Sequence, residues 1–81
     1  SLDSEEERLH SILLGDGAHA IGRTLGELAV HALGVEVTAV RRRNIRALEP
    51  SPETRFDVGD VVVLLGTPSA LAAAEERLLR G

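Results

Sequence analysis

Five consecutive apolar residues, Val61 to Leu65, stand between Asp60 and Gly66. The run has the length of a strand, and three of its residues are β-branched. Its continuity, with no polar alternation, predicts a central strand buried on both faces. A chain of 81 residues has room for one small domain around that strand. At this size roughly 60% of the unfolded surface is buried on folding, so the core is thin and self-association would help it. Hydrophobic residues make up 43% of the chain and only one residue, Phe56, is aromatic. The core is therefore built from Leu, Val, Ile and Ala, without the large anchors that dominate binding hot spots.

The other elements follow from local signals. Residues 1–8, SLDSEEER, are expected to be a flexible acidic lead-in. The missing Met and the Ser1-Leu2 start suggest a piece excised from a longer protein. Residues 9–81 are expected to form the domain. Leu9 to Gly15 read as a first strand, with Leu9, Ser11 and Leu13 facing one way and His10, Ile12 and Leu14 the other. Gly15-Asp16-Gly17 turns the chain. Thr24 and Glu27 form a capping box. Leu25, Leu28, Ala29, Ala32 and Leu33 then make one apolar stripe, and Gly34 supplies a left-handed C-terminal cap. Together these predict a helix over Thr24 to Leu33. Val35 to Arg42 alternates as a second strand. Arg43-Asn44 is a tight turn, with Asn tolerating positive φ. Ile45 to Glu49 returns as a third strand, which Pro50-Ser51-Pro52 ends. The last helix starts at Thr67-Pro68. Its inner face carries Leu71, Ala74, Leu78 and Leu79, and its surface a Glu76–Arg80 pair. The expected fold class is α+β, with a small, mostly antiparallel sheet and the order β-α-β-β-β-α.

Composition excludes several functions. With no cysteine there is no disulfide frame, thiolate nucleophile or cysteine-ligated zinc, which fits a cytosolic location. A net charge of −4 argues against nucleic-acid binding. All nine basic residues are arginine, a bias attributed to a GC-rich genome before function. No apolar run approaches the ~18 residues of a membrane span, and no signal peptide is expected.

Four local constellations bear on chemistry. Gly15, Gly17 and Gly22 miss the dinucleotide fingerprint by two residues, and no helix opens after Gly17, so they read as an ordinary turn. His10, His19 and His31 lie on three elements with no local carboxylate to complete a zinc set. Nothing resembles a nucleophile elbow, and a domain with no second lobe to form a cleft is a poor enzyme. Asp57 and Asp60 flank Gly59 and read as acceptors of backbone N–H bonds in a turn. That leaves Arg41, Arg42, Arg43 and Arg46, four guanidinium groups within six residues. Strand alternation puts Arg41 and Arg42 on opposite faces. Three readings stay open: a solvated strand end answered by Glu36, Glu49 and Glu53; an anion site, where the guanidinium fork binds phosphate or carboxylate bidentately; and ion pairs across a dimer interface.

Four segments stand in order: Ile21-Gly22-Arg23-Thr24-Leu25-Gly26-Glu27-Leu28, Gly34 to Arg42, Pro50 to Thr54, and Gly59 to Gly66. In this succession, over Leu9 to Leu79, the chain resembles the TrkA C-terminal domain, also called the RCK C-terminal domain. Within that family it is most similar to the tail of bacterial Kef-type monovalent cation:proton antiporters. The resemblance implies a cytoplasmic regulatory module at the inner face of the cell membrane, part of a potassium or other monovalent cation transport protein. It implies homodimers, an upstream Rossmann-like nucleotide-binding domain and a membrane transport domain in the same protein, with no nucleic-acid partner and no membrane insertion by this piece. No covalently bound cofactor is implied. Some members of the family bind a small ligand, such as a cyclic dinucleotide, between two C-terminal domains, so a nucleotide or other anion is the expected ligand.

Carried over residue by residue, the family's strand-ending arginine falls on Arg42, with the aliphatic Val40 on its face. Asn44 and Ile45 fall in the following turn, where ligand-binding members also place contacts. The family's usual Arg-Asp/Asn-Gly turn is here Arg42-Arg43-Asn44-Ile45, without glycine. The alternative to a ligand sensor is a dimerisation module that takes no ligand; a nucleic-acid-binding module using the arginine strand ranks below both.

Overall fold

The computed structural model describes residues 6–43 and 45–81, with backbone alone at 45 and 46. The apolar run lies at the centre. Strand β4, Asp60–Gly66, is hydrogen-bonded on one side to β1, Arg8–Leu13, and on the other to β2, Glu36–Arg42. Strand β3, Ile45–Leu48, extends the sheet beyond β2, giving the order β1-β4-β2-β3 with every pairing antiparallel. The α+β class and the antiparallel sheet agree with the expectation from the sequence. The expected third strand ran to Glu49, one residue beyond the observed end.

Burial along β4 alternates. Asp60, Val62, Leu64 and Gly66 are buried, while Val61, Val63 and Leu65 are half-exposed. This corrects the expectation of a strand buried on both faces. Among the described residues, the covering segments pack on one side of the sheet and the other face carries no second layer. An apolar run reports how many sides of a strand are apolar; it does not report how many are covered.

The region after Thr24 also departs from expectation. The capping box forms as predicted: Thr24 Oγ1 accepts from the Glu27 N–H at 3.2 Å and Glu27 Oε1 accepts from the Thr24 N–H at 2.8 Å. The helix it opens, α1, covers only Leu25–Leu28. Ala29 then turns left-handed at φ 51°, ψ 38°, and Val30–Leu33 continues as a 3₁₀ turn that ends on Gly34. The reason is Val30. It lies outside the apolar stripe of a continuous helix, yet it is 1% exposed. The break at Ala29 rotates it into the core. The carbonyl of Leu28, left without a helical partner, accepts from Arg77 Nη1 at 2.7 Å.

Helix α2, Pro68–Arg80, starts where Thr67 caps the Ala70 N–H, and it buries Leu71, Ala74 and Leu78 against the sheet. Leu79 packs at the margin of the core, and the Glu76–Arg80 pair forms at 2.9 Å. The orphan carbonyls of its last turn are met by another segment: Leu78 accepts from the Ala20 N–H and Leu79 from the His19 N–H. Phe56, the single aromatic, is fully buried with Leu14, Val40, Val62 and Leu64. It is held by backbone bonds from Gly22 to its carbonyl and from its own N–H to Arg23. Among the described residues, no helix is long and apolar enough to cross a membrane.

A non-glycine residue in the left-handed region is strained, by about 1 kcal/mol. Ala29→Gly is therefore expected to raise unfolding stability by about that amount, read from urea melts with unchanged m-value.

Candidate functional site

The arginine run falls at the open end of the sheet, where β2 turns into β3. Antiparallel register puts Arg42 directly opposite Asp60, the first residue of β4. Cross-strand partners share a face, so both side chains point to the helix-covered side. The Asp60 side chain is fully buried, and Arg42 clasps it through two parallel bonds, Nε to Oδ1 at 2.9 Å and Nη2 to Oδ2 at 2.9 Å. Nη2 also donates to the Arg55 carbonyl at 2.9 Å, and Nη1 lies 3.6 Å from Asp57 Oδ2. Asp60 Oδ2 takes a further bond from the Asp57 N–H at 2.8 Å, the turn role expected of this acid.

Burial works to raise the Asp60 pKa. The Arg42 hydrogen bond, the Asp57 N–H and the charges of Arg42 and Arg43 outweigh it and hold the carboxyl below the ordinary carboxylate range. The hydrogen bond to Asp60 likewise raises the Arg42 pKa against the opposing effect of burial. The sequence offered Glu36, Glu49 and Glu53 as partners for the arginines; Arg42 takes Asp60 and Asp57. What was missing was the knowledge that β2 pairs with β4 as well as with β3.

The other expected site residues are placed as follows. Val40 shares the face of Arg42, opposite Val62, and has no exposed surface. Ile45 opens β3 with its backbone opposite Arg42; its side chain and all of Asn44 lie outside the described residues. Arg43 has a positive φ of 53°; the positive φ expected at Asn44 falls outside the described residues. Arg41 points to the opposite, uncovered face and is exposed.

A second concavity, which the sequence did not reveal, lies away from the arginines. It is an open, mainly apolar cleft of about 370 Å³ between α1, the 3₁₀ turn, the start of β2 and the proline loop, with Val30, His31, Val37, Pro50 and Pro52 among its walls. The proline loop is docked by backbone bonds from Gly26 to Pro52 at 2.9 Å and from Leu25 to Thr54 at 2.8 Å. A Cβ at Gly26 would crowd the Pro52 carbonyl at 3.1 Å. The histidines sit on separate elements. His10 pairs with Glu75 of α2 at 3.0 Å. Among the described residues, no three His, Cys, Asp or Glu are grouped to hold a metal.

The clasp makes a pH-dependent contribution with a definite sign. A carboxyl with a lowered folded pKa stabilises the fold above its unfolded value, about 3.9. That stability is lost as pH falls from there through the folded pKa. Asp60→Asn leaves Arg42 without its counter-charge and is expected to cost about 3 kcal/mol at neutral pH. It should also flatten the acid limb of a stability-versus-pH curve, measured by denaturant melts between pH 2 and 7.

Comparison with known proteins places this architecture. A putative K(+) efflux antiporter, KefB, of Alkalimonas amylolytica is 33% identical over 70 residues, which is 86% of this chain and 11% of that protein. An uncharacterised transporter of Rhodopirellula baltica is 35% identical over 72 residues, 88% of this chain and 13% of the relative. The chain thus spans about a tenth of the length of these relatives. Residues 9–79 match the TrkA-C domain, and the chain belongs to the TrkA-C domain family.

Proposed function

We propose that the chain is a non-enzymatic regulatory domain of a potassium or other monovalent cation transport protein, a cation:proton antiporter in particular, acting at the cytoplasmic face of the membrane. The observation that carries this reading is the family match over 71 of 81 residues in a domain that forms a small part of two transport proteins. In this reading the domain pairs as a homodimer, follows a Rossmann-like domain in the full protein, and senses a cyclic dinucleotide or other nucleotide or anion. Arg42 is the proposed anion contact. Its Nη1 arm, set 3.6 Å from Asp57, is the arm an incoming phosphate would take over by displacing Asp57. Asn44 and Ile45, carried over from the family pattern, are further proposed contacts, and Val40 would hold the strand from beneath. To act as a signal, the ligand must favour one arrangement of the two protomers; equal binding to both would shift nothing.

One observation favours a second reading, dimerisation without ligand. Nε and Nη2 of Arg42 are already committed to Asp60 and the Arg55 carbonyl. Isothermal titration of the chain with cyclic dinucleotides, mononucleotides and inorganic phosphate separates the two. The sensor reading expects saturable heat and a rise in melting temperature with at least one of them. A chain that is dimeric by light scattering and silent to all of them rules the sensor out and leaves dimerisation.

A further inference from the structure

The uncovered face of the sheet has an ordered composition. Register aligns it in three rows across β1, β4 and β2: Leu13, Val61 and Arg41; then Ser11, Val63 and Ala39; then Leu9, Leu65 and Glu36. Leu9 and Leu13 are 65% and 63% exposed, although they flank a central apolar strand. Arg41 and Glu36 are exposed, and neither has an ion-pair partner among the described residues. The face is therefore mainly apolar over β1 and β4, with Ser11 at its middle, and β2 carries an unpaired cation at one end, an unpaired anion at the other and, at a bulge between Val37 and Ala39, the exposed Thr38 whose hydroxyl donates to the Val63 carbonyl.

We infer that this face is the seat of a second copy of the chain, packed face to face about a two-fold axis that runs across the strands through the middle row. This rests on the homodimer reading above and specifies its interface. The argument is one of symmetry. A two-fold interface is isologous, so the surface must complement itself. Rotation about that axis lays β1 on β1, β4 on β4 and β2 on β2, with strands reversed. Leu13 then meets the partner's Leu9, Val61 meets the partner's Leu65, and Arg41 meets the partner's Glu36. The middle row, Ser11, Val63 and Ala39, meets itself and is made of small or compact side chains, which lets the sheets approach to the spacing of an aligned sandwich. The alternative two-fold, along the strands, sets Arg41 on Leu13 and leaves Glu36 on Leu9, burying both charges against leucine at a prohibitive cost. Charge placement thus selects one of the two face-to-face arrangements. The face measures about 15 by 20 Å from strand spacing and rise. That is about 300 Å² per copy, below the roughly 800 Å² per partner of a standard interface, so the isolated chain is expected to pair weakly.

The test uses sedimentation velocity across concentration, with circular dichroism as the check on folding. Arg41→Glu and Glu36→Arg are each expected to raise the dimer dissociation constant at least tenfold, and the double exchange to restore it to within about threefold. Because the chain lacks cysteine, Ser11→Cys provides an independent readout. A short bismaleimide should link two Ser11→Cys chains into a covalent dimer, and should leave the loop variant Asp16→Cys monomeric on a denaturing gel. A chain that is dimeric but indifferent to the charge exchange and uncoupled through Ser11→Cys overturns this interface and leaves the homodimer reading standing. A chain that stays monomeric up to millimolar concentration overturns both, and assigns the face to another domain of the protein.

Discussion

The carboxylate of Asp60 has no exposed surface, and a buried charge must be answered where it stands. Three other stretches of chain converge on this residue. Arg42 brings the end of β2, and the Asp57 N–H and the Arg55 carbonyl bring the turn before β4. The Asp60 carbonyl accepts from Leu14, which follows β1. One ion pair therefore fixes the open end of β2 against β4, and the Leu14 bond ties the segment after β1 to the same residue. Replacing such a pair by apolar residues of similar shape often costs little, whereas removing one member is expensive. Its value here is positional: it holds the arginine strand in one register against β4.

Much of this was legible in the residues. The capping box at Thr24 and Glu27, the Thr67-Pro68 start and the VVVLL strand are local signals, and each appears at its expected position. What failed was non-local. The helix expected to reach Leu33 stops at Leu28 because Val30 is drawn into a core assembled from distant segments. The partner of Arg42 could not be read because Asp60 is 18 residues away and becomes its neighbour only through the β2–β4 pairing. The cleft walled by Val30, Val37 and Pro52 is invisible for the same reason: three segments with unremarkable sequences create it by docking.

The same economy shapes the two faces of the sheet. A chain this short supplies one layer of cover, and α2, the 3₁₀ turn and the loop around Phe56 spend it all on one side. The opposite side keeps Val61, Val63 and Leu65 only half-sheltered. In a larger domain these residues would lie under a second layer of helices. The chain spans about a tenth of the transport proteins it is similar to, and in the dimer proposed above the second layer comes from another copy, oriented by the charges at the ends of the face.

The position of β4 in the sheet also governs how the domain comes into being. The strand that bridges β1 to β2 is the last to be synthesised, and Leu9 must wait for Leu65. Until residues 60–66 have emerged, β1 has no neighbour, Arg42 has no carboxylate, and only the short β2–β3 hairpin has a mate. Loop closure over more than fifty residues precedes any reward in paired strands, a topology that favours slow, all-at-once folding over stepwise accretion. During synthesis the apolar residues of β1 wait longest for their partner strand.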